Sequence, residues 1–277
     1  QRGNRFLCIL CPSLSSHISN RSGNTVMFKR IIRFLIVSCF LLQLSHSAES
    51  MSATSKVCAI FGYGPGLSKA VAKKWSQEGF AVAAMARSLD KVKEAEDTIP
   101  NVKGYVCDVT KPEDIASTVA SIEKDLGPID CLVYNAGKGV WKPWNQVPIG
   151  DFEEGFQINV SGLLKASQEI VPKMIERGHG TVLITGATAS LRGKPITAGF
   201  APQKGAQRML AQALARDVGP KGVHVGYFII DGAIGVDDKD PTRIDPNAIA
   251  DTYWHVANQP KSCWSFETEV RPSVETW

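Results

Sequence analysis

Residues 57–72, VCAIFGYGPGLSKAVA, constrain the fold of this chain more than any other stretch. A short apolar run ends in Gly62, Gly64 and Gly66 and passes into a segment with helical apolar spacing from Leu67 onward. That order predicts strand, tight turn, helix. Glycine lets the backbone turn sharply and come close to a ligand, and the new helix aims free N–H groups and its positive dipole end at an anion. A pyrophosphate is the usual occupant of such a turn. A plain surface turn also favours Gly and Pro, but a strand before it and a helix after it are the context of a ligand loop.

Strand and helix signals alternate through the rest of the chain. Strands are expected at Lys56–Phe61, Ala81–Ala86, Val102–Cys107, Ile129–Tyr134, Thr181–Thr185 and Val223–Ile230, with an edge strand at Trp264–Val270. Helices are expected at Gly66–Glu78, Leu89–Asp97, Pro112–Leu126, Asp151–Arg177, Phe200–Val218 and Asn247–Asn258. Thr110 is expected to cap the third helix, Pro172 to bend the fourth and Gly178 to end it. Asp231–Pro246 reads as a polar loop. Runs such as AVAAMA, apolar throughout, suit strands buried on both faces. The fold class is therefore α/β, a doubly wound parallel sheet in one domain, with no internal repeat or linker.

The 277 residues suffice for one such domain with a full core. The formal charge is +4, but Arg2, Arg5, Arg21, Lys29, Arg30 and Arg33 precede position 51 against Glu49 alone. The remainder is nearly neutral, with no basic stripe for nucleic acid. Gln1–Val26 shows no sustained period and reads as translated upstream sequence. From Met27, basic residues, the apolar run Phe34–Leu44 and Ser45–Ala48 have the layout of a signal peptide, and the run is too short to span a bilayer. The frequent Arg and Ser fit an organellar transit segment as well, and Met51 offers another start. The expectation is a leader at 1–50 and a cytoplasmic body at 51–277. Secretory or organellar targeting through 27–48 is the alternative. Cys58, Cys107, Cys131 and Cys263 read as small buried hydrophobes. Cys8 and Cys11 lack partner histidines, so no metal site is expected.

Gly62-x-x-x-Gly66 resembles the Gly-x-x-x-Gly-x-Gly loop of the short-chain dehydrogenases/reductases, with Phe61 for the usual Thr and Ser68 for the last glycine. Ser68 is small enough to keep helix and strand close. The resemblance spans about Lys56 to Val270 and implies a Rossmann-like fold that binds NAD(P) through Gly62, Gly66 and Leu67. Ala86 stands where an NAD-selective protein places an acid, and Arg87 follows it. An arginine there accommodates a 2′-phosphate, so NADP is expected ahead of NAD. The plainer reading of Arg87 is a solvated arginine at a helix start. Asp108 and Val109 resemble the family's adenine contacts, though a turn aspartate reads equally well. Tyr134–Asn135–Ala136–Gly137 is similar to the Asn-Asn-Ala-Gly that braces the sheet beside the cofactor ribose.

The resemblance also implies a catalytic Tyr, Lys, Ser and Asn. Lys204 and Asn159 match, but Phe200 stands four residues before Lys204 where Tyr belongs, and Ala187 stands thirteen before that in place of Ser. A phenyl ring has no ionisable proton, and general acid–base catalysis is worth about 10²–10⁴-fold. Cofactor binding does not need the missing hydroxyls, so Lys204 reads as a ribose-binding lysine. Thr188 and Ser190 are hydroxyls near the lost serine. Asp231–Gly232 replaces the family's Pro-Gly: Gly232 keeps the turn, and Asp231 brings a carboxylate that is a candidate replacement proton group. Trp141, Trp144, Arg192 and Lys194 fall on loops suited to an aromatic or anionic substrate. The two long helices resemble those that pair subunits in the family, which implies a homo-dimer or homo-tetramer. Two functions follow: an NADP-dependent oxidoreductase with altered proton transfer, or a non-catalytic NADP-binding sensor or scaffold.

Overall fold

The computed structural model describes residues 55–237 and 239–275. The leader and both candidate initiators lie outside the described residues. Strands β1 (Val57–Phe61), β2 (Ala81–Ala86), β3 (Val102–Val106) and β4 (Ile129–Tyr134) alternate with helices α1 (Leu67–Gln77), α2 (Leu89–Thr98) and α3 (Pro112–Leu126). Then follow α4 (Ile149–Phe156), α5 (Gly162–Arg177), β5 (Gly180–Thr185), α6 (Ala201–Val218) and β6 (Val223–Ile230). The chain ends with β7 (Ala233–Ile234), β8 (Arg243–Ile244), α7 (Pro246–Ala257) and β9 (Glu267–Val270). One parallel sheet runs β3-β2-β1-β4-β5-β6-β9. Strand order reverses between β1 and β4, so the crevice for a ligand opens above their carboxyl ends.

Successive side chains point to opposite sides of a strand, and here both sides are covered. Leu132 and Tyr134 of β4 join Ile115 and Ile122 of α3 and Leu163 and Ile170 of α5 in one core layer. Cys131 and Val133 turn the other way, toward Val71 and Trp75 of α1 and Ile249 and Tyr253 of α7. Burying each large aliphatic side chain contributes about 1.5–3 kcal/mol, which explains why these strands read as continuous apolar runs.

Several local expectations are corrected. Lys111, not Thr110, is the N-cap of α3; Thr110 gives both its N–H (3.0 Å) and hydroxyl (2.8 Å) to Asp108 Oδ1. The long helix runs through Pro172 and is interrupted instead by a π-helical turn at Gln157–Ser161. Tyr134 at the end of β4 donates its hydroxyl to the carbonyl of Ile158 in that turn at 2.5 Å. The polar loop after β6 holds the pair β7–β8. The edge strand begins at Glu267, because Trp264 packs flat on His224 rather than extending the ladder. Cys263 is exposed on the turn before it, unlike the buried Cys58, Cys107 and Cys131.

Candidate functional site

Gly62 follows β1 with φ +84°, and a Cβ on it would lie 2.5 Å from the backbone of Ala136, so only glycine lets the two loops touch. The N–H groups of Gly62 and Tyr63 both donate to the Met85 carbonyl, at 3.1 and 2.7 Å, which pins the loop to the end of β2. Ser68 is buried and donates to the Gly62 carbonyl at 2.7 Å, closing the turn where the resemblance places a glycine. Gly64 and Gly66 face open space, and no side chain caps α1. The first N–H groups of that helix have no intrahelical acceptor.

A polar ladder ties the strand ends together. Asn135 donates to Ser68 Oγ at 2.5 Å, and Thr185 donates to Asn135 Oδ1 at 2.8 Å. Tyr253 Oη lies 2.9 Å from Thr185 Oγ1, so with the threonine proton already spent the tyrosine is the donor.

The crevice holds two cavities that meet at Gly137. The first, about 440 Å³, runs from Gly62 past Ala86 and Arg87 to Val109, Asn135 and Ala136. Arg87 is 66 % exposed at its rim, 3.8 Å from Glu154, and Lys91 from α2 brings a second cation. Asp108 stays outside the lining, with its carboxylate held by Thr110.

The second cavity, about 600 Å³, is walled by Trp141, residues 185–189, Lys194, Phe200, Lys204 and the turn of Asp231 and Gly232. Lys204 is buried, donates to the Thr185 carbonyl at 2.9 Å and to Gln207 Oε1 at 3.0 Å, and burial pushes its ammonium down to about 7. Gln207 in turn donates to the Asn159 carbonyl at 2.9 Å, so one buried amide bridges the lysine and the π-turn. Asn159 is fully buried. Its Nδ2 donates to the carbonyls of Lys138 (2.7 Å) and Gly155 (2.9 Å), while Oδ1 has no partner among the described residues. The Phe200 ring packs on Trp141 at 5.2 Å, lies over Gly139, which must lack a side chain there, and has Lys204 Nζ 5.8 Å from its centre.

The structure thus gathers Gly62, Asn135–Gly137, Ala187, Thr188, Phe200, Lys204 and Gly232 around the crevice, while Leu67 packs into the core and Asn159 is buried behind Gly137. Trp144 and Arg192 do not line the second cavity. Asp231 reaches its wall, but its carboxylate is paired with Arg271 at 3.0 Å and Arg192 at 3.8 Å. That pairing makes it an anchor of the turn rather than a free base. Sequence reasoning missed Lys91, Gln203, Gln207 and Tyr253. Gln207 had a signal, since it stands three residues after Lys204, a helical spacing that puts the two on one face.

Residues 56–237 match the family model described as short chain dehydrogenase. A glucose 1-dehydrogenase of Gluconobacter oxydans (strain 621H) is 29 % identical over 185 residues, 65 % of this chain and 69 % of that protein. A crystal structure of a short-chain dehydrogenase from Rhodopseudomonas palustris is 30 % identical, superposes with a TM-score of 0.69, and covers 78 % of this chain and 98 % of its own. An alcohol dehydrogenase from Thermococcus sibiricus, complexed with 5-hydroxy-NADP, shares the fold at TM-score 0.73 and 23 % identity over 80 % of this chain and 98 % of that one. With the match running from the first strand past the sixth, the chain belongs to the short-chain dehydrogenase family of oxidoreductases.

Proposed function

We propose that this protein is an NADP-dependent oxidoreductase of short-chain dehydrogenase type whose proton-transfer machinery is altered. One observation carries the reading: the cavity beside the glycine loop, rimmed by Arg87 and Lys91 with no acid at Ala86, shares Gly137 as a wall with the cavity that holds Lys204. The residues fit a dinucleotide. Gly64 and Gly66 leave the approach to the uncapped α1 clear for a pyrophosphate, and the two cations suit a 2′-phosphate. When bound, the nicotinamide supplies or accepts a hydride.

This chain's own residues do the rest. Gly62, Gly66 and Leu67 hold the pyrophosphate, Val109 borders the adenine, and Asn135, Ala136 and Lys204 hold the ribose nearest the reaction. Gln207 and Asn159 position Lys204. Phe200 cannot donate a proton, so Lys204 Nζ serves as a wall group able to move one near neutral pH, with Thr188 left to bind a substrate oxygen. Substrates that need no hydroxyl acid suit the site best: an iminium ion, or a conjugated alkene protonated from water. Equal affinity for NADPH and NADH in a fluorescence titration would overturn the cofactor assignment.

A second reading has its own observation. Phe200 fills the place of the acid with a ring tilted against Trp141, as a non-catalytic NADP sensor or scaffold would tolerate. Hydride transfer from NADPH to an iminium substrate separates the two readings. Exposed Leu164 on α5 and Met209 on α6 support pairing of these helices in a homo-dimer or homo-tetramer, tested by light scattering. The body is assigned to the cytoplasm, since Asn159, the acceptor of an Asn-Val-Ser sequon, is fully buried. Native protein secreted with a glycan there would refute that.

A further inference from the structure

Five charged side chains line the cavity of about 600 Å³ that holds Lys204, and three of them are already engaged. Lys138 Nζ sits between Asp151 at 2.7 Å and Glu154 at 2.6 Å. Asp231 is paired with Arg271 and Arg192, and Lys204 with the Thr185 carbonyl and Gln207. Lys194, exposed at the rim, and Glu275, half-buried, have no side-chain partner among the described residues. One ammonium and one carboxylate in the wall are therefore left to a ligand.

The two come from different segments. Lys194 stands on the turn after β5, which buried Thr197 pins: the Lys194 N–H donates to Thr197 Oγ1 at 2.7 Å, and the Thr197 hydroxyl and N–H donate to the Lys194 carbonyl at 3.0 and 2.9 Å. A backbone bridge from Thr197 to Lys142 ties that turn to the loop of Trp141. Glu275 follows β9. Its N–H donates to the Pro272 carbonyl at 3.1 Å, and Pro272 abuts the Gly232 turn, where a Cβ would lie 3.1 Å from the proline Cδ. Trp141, Phe200, Ile230 and Ile234 give the same wall its apolar surface. Trp141 packs on Phe200 at 5.2 Å yet stays 61 % exposed, so part of its indole is open to a flat ligand. Aromatic rings also favour a cation, and charge-assisted contacts are about twice as strong as neutral ones.

We propose, resting on the reading of this crevice as an NADPH site, that the substrate is a flat iminium ion that also carries a carboxylate. Lys194 takes the carboxylate, Glu275 faces the iminium nitrogen, and Trp141 and Phe200 take the flat body. A conjugated alkene would leave Glu275 without a counter-charge, so the iminium is the better match. Reduction adds a hydride from NADPH to the iminium carbon, the C=N pair becomes the nitrogen lone pair, and the products are a neutral amine and NADP⁺. No proton is drawn from the wall, as a site with Phe200 in place of an acid requires.

Calorimetry on the full chain with NADPH present tests recognition apart from turnover. Tetrahydroisoquinoline-3-carboxylate and its 6-carboxylate isomer carry both charges, tetrahydroisoquinoline only the cation, and 5,6,7,8-tetrahydronaphthalene-2-carboxylate only the anion. At least one two-charge isomer is expected to bind about tenfold more tightly than either one-charge probe. Lys194→Gln should weaken the carboxylate probes by about threefold or more and spare tetrahydroisoquinoline. Glu275→Gln should weaken the amine probes to a similar extent and spare the naphthalene acid. Neither side chain belongs to the core, so the far-UV spectrum and NADPH titration should not change. NADPH oxidation with the matching 3,4-dihydroisoquinoline carboxylate should show KM raised by each substitution. Charge-selective binding without any turnover would keep the ligand assignment and overturn the oxidoreductase reading beneath it. Turnover of plain 3,4-dihydroisoquinoline as efficient as that of its carboxylates would do the reverse. Equal effects of each substitution on all four probes, or no preference for either two-charge isomer, would also overturn the proposal.

Discussion

Phe200→Tyr combined with Ala187→Ser returns the two missing hydroxyls to the second cavity. The new phenol stands on a ring whose centre is 5.8 Å from Lys204 Nζ, within the range where an ammonium favours the phenolate. The expected gain is the worth of a positioned acid, about 10²–10⁴-fold in NADPH-dependent ketone reduction. An unpaired hydroxyl in a dry core would cost about 1–3 kcal/mol, but both new groups face a cavity of about 600 Å³ that admits water, so melting should shift little. Each single substitution should recover less than the pair, because groups acting as one unit are not additive. The assay is NADPH oxidation with a panel of small ketones and quinones, with Lys204→Met in the double variant as the dead control. Strong wild-type turnover unchanged by Phe200→Tyr would refute the reasoning, as another residue would already be supplying the proton. A double variant that binds NADPH tightly yet turns over nothing would show that the phenol does not reach the substrate.

Arg87→Asp should weaken NADPH by about tenfold or more while sparing NADH, read by cofactor fluorescence. Gly62→Ala forces a side chain into a positive-φ position against the Ala136 backbone. It should cost about 1–3 kcal/mol in chemical denaturation and abolish NADPH binding. Burial lowers the Lys204 pKa from 10.5 to about 7, so between those values the unfolded chain holds the extra proton and stability rises with pH. Below about pH 7 both states are protonated and the burial penalty is fully present. Lys204→Met should flatten this part of the wild-type profile, measured by urea melts at several pH values, and identical slopes in both proteins would contradict it.

Local chemistry made much of this legible in the sequence. The run Val57–Phe61 followed by Gly62, Gly64 and Gly66 specifies strand, turn and helix through periodicity and steric permission, which act over a few residues. Strands apolar on both faces specify a covered parallel sheet. Lys204 and Asn159 were legible through the family resemblance, as were the substitutions at Phe200 and Ala187. The partners of those residues were not. Gln207 bridges Lys204 to Asn159 across 48 residues, because α6 packs against the π-turn rather than a regular helix. Asp231 meets Arg271 only because β9 adds to the edge of β6, and Tyr253 reaches Thr185 only because α7 crosses that face of the sheet. Trp75 and His224, 149 residues apart in sequence, line one cavity where α1 and α7 cover the sheet. Sequence by itself determined the elements and the glycine-rich loop, where each residue answers to its neighbours. Tertiary structure decided which polar groups are paired and which are left waiting, because pairing depends on sheet register and helix packing across tens of residues.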